Sequence, residues 1–174
     1  ARVGLGYLLN HHGMVKGEAT IANIPASDRG PDRVWYGSAA AAEYHDMDWL
    51  CGHLDPALDV QVKSLTNDQT ILVLAGPKAR DVLSACSRGD WSRDAFPWLT
   101  VRECFIGFAP VTVLGVSFSG ELAYEIHVPN HALYAAYTAL RTAGDAQGLK
   151  IFGARADSQA GHCVPHSQAA LGRR

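Results

Sequence analysis

A chain of 174 residues, 48% hydrophobic and 18% charged, can bury one sizeable core or two small ones, which excludes a disordered chain and a collagen-like fibre. Fifteen Lys and Arg against 17 Asp and Glu leave a formal charge of −2, without the basic excess that holds a nucleic-acid backbone or an acidic membrane by charge alone. Partners are therefore expected at local sites, with no nucleic acid and no membrane among them.

The chain opens with an apolar run, Val3 to Leu9, and turns at Asn10-His11-His12-Gly13. It returns through Ala19-Thr20-Ile21-Ala22-Asn23-Ile24 as the second arm of a hairpin. A turn at Arg29-Gly30-Pro31-Asp32 precedes a short strand, Arg33-Val34-Trp35-Tyr36. Ser38 is placed to cap a helix from Ala39 to about His53, with Ala42, Tyr44, Met47, Leu50 and Cys51 at rough helical spacing. Leu54 to Leu65 reads as loop and strand. Ile71 to Ala75 is a continuous apolar strand stopped by Gly76-Pro77, and Lys78 to Leu83 follows as a helix. Three strands lie between Trp98 and Val128, broken at Gly107-Phe108-Ala109-Pro110 and at Ser119-Gly120. A helix after Pro129-Asn130 carries Leu133, Tyr134, Tyr137 and Leu140, with Tyr134 and Tyr137 expected as a pair facing the core. The fold class predicted is α+β, antiparallel sheets with helices on one side.

Several segments, Arg2-Val3-Gly4-Leu5, Leu8-Leu9-Asn10, His45-Asp46-Met47-Asp48-Trp49-Leu50, Leu74-Ala75-Gly76-Pro77-Lys78-Ala79-Arg80-Asp81, Gly120-Glu121-Leu122-Ala123-Tyr124-Glu125 and Phe152-Gly153-Ala154-Arg155, are together familiar. The chain resembles the folate-binding aminomethyltransferase family, the T-protein of the glycine cleavage system, most closely as fused behind FAD-dependent dimethylglycine and sarcosine dehydrogenases. The resemblance runs from Ala1 to about Arg155, and its most specific piece is G-E-x-x-x-E from Gly120 to Glu125. It implies the middle portion of a cloverleaf that binds tetrahydrofolate. Residues 1–66 would be part of a first folate-binding subdomain and 67–155 a second α+β subdomain. FAD would belong only to a missing domain, because Gly4-x-Gly6 runs on without the third glycine of a dinucleotide fingerprint. The implied partners are folate, a small amine-derived one-carbon unit and a separate FAD-binding oxidoreductase domain.

A pterin presents adjacent N–H donors on its aminopyrimidine edge, and one carboxylate accepts two of them in parallel. Glu125 matches the family's pterin-binding glutamate. Glu121, four residues earlier, is expected on the same strand and face as a support. Glu18 matches the position where the family usually carries an aspartate near the reactive folate nitrogen, and is the candidate catalytic acid. Thr20, two residues on, is a candidate hydrogen-bond partner, and Arg155 matches a family arginine near the folate. On residue type alone, a strand glutamate meets water, Arg155 is a surface cation, and Thr20 serves equally as a strand former.

Departures weigh against turnover: Phe118 replaces a usual tyrosine and Gly115 a usual arginine. Three readings stay open: a folate-dependent one-carbon transferase module, a folate-binding module without turnover, and an inactive truncated fragment. The start at Ala1, directly in a strand-like run, is expected for a fragment.

The four cysteines form no C-x-x-C pair, so no metal site and a reduced, cytoplasmic chain are expected. His11-His12 reads as a solvated turn, and His162-Cys163-x-x-His166 does not close a tetrahedral site. Residues 156–174 lack periodicity and are expected to be without order. Read one base later, codons for Ser158 onward permit Leu-Arg-Leu-Asp-Thr-Ala-Tyr-Arg, which resembles the family's continuation and suggests a frameshift near Ala156; DNA sequence around that codon tests it.

Overall fold

A computed structural model describes residues 1–117 and 119–153 and the backbone of 170–173. Phe118, Arg155, Cys163 and the proposed site of the frameshift lie outside the described residues.

The first sheet contains β1 (Arg2–Leu9), β2 (Val15–Ile24) and β3 (Arg33–Ser38), in that order and antiparallel throughout. The expected hairpin joins β1 to β2. The Asn10 side-chain oxygen accepts from the backbone N–H groups of His12 and Met14 at 2.9 and 3.0 Å, and Gly13 takes a left-handed turn at φ 75°. Both are roles those residue types fill at low cost.

A short helical turn at Ala40–Ala42 leads into α1 (Glu43–Gly52). Two expectations change here. Ser38 ends β3 instead of capping a helix, and no side chain caps either helical segment. The residue that α1 buries is an acid, Asp46, while Tyr44 is 84% exposed and Cys51 is exposed. The register of the sheet explains this. Gly4, Gly6, Gly17 and Ala19 share a face with Leu8, Ile21, Tyr36 and Ser38, and Asp46 lies over Gly17, where an added Cβ would come 3.4 Å from its carboxylate. The Ile21 side chain lies over Gly6, where any Cβ would come within 2.4 Å of it.

No helix or strand forms between α1 and residue 69, although a strand was expected within Leu54–Leu65. Local turns occupy that stretch, with Leu58 N–H bonded to the Asp55 carbonyl and Val60 N–H to the Leu58 carbonyl.

The second sheet contains β4 (Gln69–Ala75), β5 (Val101–Ile106), β6 (Ala109–Leu114), β7 (Ala123–Pro129), β8 (Lys150–Gly153) and β9 (Ala170–Arg173). Their spatial order is β5-β6-β7-β4-β9-β8, and only the β8–β9 pair is parallel. β9 corrects the expectation that residues 156–174 are without order throughout. A strand is held by backbone pairing on both sides, which needs no side-chain periodicity. The β5–β6 hairpin closes through Gly107-Phe108, with Gly107 at φ 57°.

Helices α2 (Ala79–Cys86) and α3 (Leu133–Asp145) cover one face of this sheet, packing on Leu72, Leu74, Val111, Val113, Tyr124, Ile126 and Val128. α3 turns Ala136, Leu140 and Gly144 inward at i, i+4, i+8. Tyr137 packs at the margin of that stripe. Tyr134 points away and is 82% exposed, so the two tyrosines are not a core pair.

A core defined this way makes a contrasting prediction. Leu140→Ala should cost about 2–5 kcal/mol through the cavity it leaves, whereas Tyr134→Ala should stay within about 0.5 kcal/mol. Urea unfolding of both variants checks it; equal losses would contradict the packing.

Candidate functional site

The other face of the second sheet meets the first sheet. Val3, Ala22 and Ile24 pack there against Val101 and Leu114, with Trp35, Leu99 and Val116 around them. The Val3 N–H donates to the Leu99 carbonyl at 2.8 Å, and Leu99 provides it from a left-handed conformation at φ 61° that a branched side chain rarely adopts.

Polar contacts cross the same seam. The Trp35 indole N–H donates to His127 Nδ1 at 3.0 Å. Arg33 holds both carboxylate oxygens of Glu103 at 3.0 and 3.1 Å. Arg29 donates to the Cys104 carbonyl at 3.1 Å and its guanidinium lies 4.6 Å from the centre of the Phe105 ring.

The register places the sequence-derived candidates around this seam. Glu18 pairs with Tyr7, and Thr20 with Leu5 and Gly37. By the period of two, Glu18 and Thr20 share the face of β2 that carries Ala22 and Ile24 into the seam. That face is covered at one end and open at the other, where Glu18 is exposed, Leu5 is 65% exposed and Tyr7 55% exposed. Glu125 lies on β7 between Val73 and Leu114, on the face that bears His127. Its side chain is only 16% exposed, and its Oε2 is 3.4 Å from His127 Nε2.

Glu121 is a correction. It lies in a bend ahead of β7, which begins at Ala123, so strand periodicity does not carry it to the face of Glu125. It lines instead a cavity of about 40 Å³ with Arg80, Phe96, Trp98, Gly115 and Tyr124. That volume holds about one water molecule.

Other chemistry finds little support among the described residues. No three His, Cys, Asp or Glu side chains come together as a metal site requires, and His11 and His12 occupy an exposed turn. Burial pushes the Cys86 thiol, with Cys104 beside it, up to about 11, and burial pushes Cys104 to about 11 as well; neither is a thiolate nucleophile near neutral pH. Among the described residues no helix is long and apolar enough to cross a membrane.

Comparison with known proteins decides the family. Residues 1–160 match the GCVT N-terminal domain. The chain belongs to that family. Its relatives include human mitochondrial dimethylglycine dehydrogenase, 29% identical over 150 residues, which cover 86% of this chain and 17% of the relative. The alpha subunit of sarcosine oxidase from Rhizobium meliloti (strain 1021) is 36% identical over 116 residues, 66% of this chain and 12% of the relative. Mouse mitochondrial sarcosine dehydrogenase is 28% identical over 158 residues, with 86% and 17% covered. The chain thus spans less than a fifth of the length of these relatives.

Sequence reading of this GCVT domain missed Trp35, His127 and Asp46. A histidine two residues after Glu125 on the same strand face was the available signal for His127. Asp46 had one too, an acid four residues after Ala42 and four before Leu50, on the apolar stripe of the expected helix. Its carboxylate accepts from Tyr36 Oη at 3.1 Å and contacts His45 Nδ1 at 2.9 Å. Burial alone would raise it, but hydrogen bonds from His45, Ser38 and Tyr36, with the His45 charge, hold it below the ordinary carboxylate value. Burial and the hydrogen bond to Asp46 push Tyr36 up to about 12.

The pH dependence follows from the signs. Asp46, depressed in the folded state, contributes stability that is present above its unfolded value and lost as pH falls through its folded one. Tyr36, raised, contributes stability that is full below 10 and lost as pH rises toward about 12. Tyr36→Phe should cost about 1–3 kcal/mol at neutral pH, move the acid loss to higher pH and abolish the tyrosine's alkaline loss. Urea midpoints from pH 3 to 12 test this; a pH profile unchanged by the substitution would contradict it.

Proposed function

We propose that this domain binds a reduced folate and, within a longer FAD-linked oxidoreductase, serves its capture of a one-carbon unit from an N-methylglycine-type amine. The observation that carries the reading is the placement of Glu18 and Thr20 on one sheet face and Glu125 on the face turned toward it. The polar seam of Trp35 and His127 joins the two faces.

The residues fit a pterin chemically. A flat heteroaromatic ring needs an apolar wall and a carboxylate for its N–H edge. Leu5 and Tyr7 leave apolar surface open on the face of Glu18 and Thr20, and Glu125 is a largely buried carboxylate on the face turned toward them. The cavity at Glu121 is too small to hold the ring by itself; sites for such ligands run to roughly 300–1,000 Å³.

Bound tetrahydrofolate supplies two nitrogens that hold a carbon at the formaldehyde level. The chain's own residues do the rest. Glu125 orients the pterin, Thr20 offers a hydroxyl beside the reactive end, and Glu18 takes or returns the proton at the folate nitrogen as the carbon is bound. Glu18 reaches one methylene further than the family's usual aspartate, and misplacement by about 1 Å is enough to slow such a step. Arg155 would add positive charge near the folate.

A second reading, folate binding without turnover, draws on Gly115. It stands beside the cavity that Glu121 lines, at a position where the resemblance implies an arginine. The two readings part on one pair of variants. Calorimetric titration with tetrahydrofolate should show saturable binding that Glu125→Ala abolishes. Glu18→Gln should still bind but form methylenetetrahydrofolate from formaldehyde on the order of 100-fold more slowly. No binding by the folded wild-type chain would overturn both readings; binding with a rate no faster than the uncatalysed reaction would select the second.

A further inference from the structure

The structure assigns to His127 a positioning role: its Nε2 faces the carboxylate of Glu125 and donates to it in the folate complex, and Trp35 is the group that fixes which of its nitrogens carries the proton. The inference rests on the reading of Glu125 as the pterin ligand. It adds two residues that act through that glutamate without touching the folate.

The geometry begins with a donor that cannot reverse. An indole nitrogen only donates, so the 3.0 Å contact from Trp35 Nε1 makes His127 Nδ1 an acceptor. The ring proton then sits on Nε2. That nitrogen stands 3.4 Å from Glu125 Oε2, on the same strand face two residues along. The His127 side chain is 5% exposed, so water does not substitute as its acceptor. Among the described residues Nε2 makes no well-formed hydrogen bond. A buried donor aimed at a carboxylate without good alignment gains from any small shift that brings the oxygen into line. Docking an aminopyrimidine edge on Glu125 turns its carboxylate and supplies such a shift, as contacts that are long before ligand binding commonly tighten with it. The surroundings hold the ring against rotation: Trp35 meets it edge-on with centroids 5.6 Å apart, and Thr112 is its cross-strand neighbour on β6.

The test uses the full chain and 5-formyltetrahydrofolate as a stable reduced folate. Nitrogen-15 NMR of the imidazole should show an unprotonated Nδ1 and a proton on Nε2 whose resonance moves on saturation with the folate. His127→Leu should weaken binding about tenfold, equivalent to about 1.4 kcal/mol, without loss of the folded state by circular dichroism. His127→Gln, which keeps a donor near the Nε2 position, should recover most of that loss. A proton on Nδ1, an Nε2–H resonance that folate leaves unmoved, or a folded His127→Leu that binds like wild type would overturn the role. If His127→Leu fails to fold, Trp35→Phe with the same NMR titration decides: a free tautomer mixture and weakened binding support the role, and unchanged binding overturns it. Glu125→Ala separates the two claims. Loss of binding there with none in His127→Leu removes only the positioning role, whereas wild-type binding in Glu125→Ala removes the Glu125 reading and this inference with it.

Discussion

The hydrogen bond from the Trp35 indole to His127 crosses the seam between the two sheets, and the arrangement of the candidate site depends on it. An apolar seam tolerates small slips, because burial is non-directional. A buried donor and acceptor do not, since each loses its partner if the sheets shift. The Arg33–Glu103 pair adds less, being partly exposed at 31% and 16% and open to screening. The strained Leu99 belongs to the same constraint. Its carbonyl meets Val3, and its left-handed conformation persists because the surrounding contacts over-determine it.

From that constraint follows a division of labour across each sheet. One face of the second sheet is a closed apolar core under α2 and α3. Its other face holds the charged and imidazole groups, Glu103, Glu125 and His127, because the period of two puts them there together. The first sheet repeats the pattern with a polar anchor beneath, Asp46 held by Tyr36 and His45, and a half-covered face above. A ligand that spans the place where the covered and open parts of this face meet can touch both sheets.

Much of the fold was legible in the sequence because its strands are bounded by strong turn chemistry. Asn10 and Gly13, Gly107, and Gly76-Pro77 mark the breaks where the structure has them. The family was legible in Gly120–Glu125 and in Phe152-Gly153. What escaped was set by tertiary context. The face that α1 buries is decided by Gly17 and Tyr36 opposite Asp46, not by its own spacing of apolar residues. Tyr134 lies one position beyond Leu133 on a helix whose inward stripe is the smaller Ala136, Leu140 and Gly144. Glu121 shares a motif with Glu125 but not a strand, since the bend at Ser119–Leu122 resets the alternation. His127 and Trp35 are far apart in sequence, and only the docking of the sheets brings them together.

Convergence of the two faces on one ligand is tested most directly by an amide NMR titration of the chain with 5-formyltetrahydrofolate. A shared site predicts saturable shifts on Gly17–Thr20 of β2 and on Glu125–His127 of β7, with a single affinity for both. Shifts confined to the Arg80–Glu121 cavity, or to one sheet alone, would contradict it.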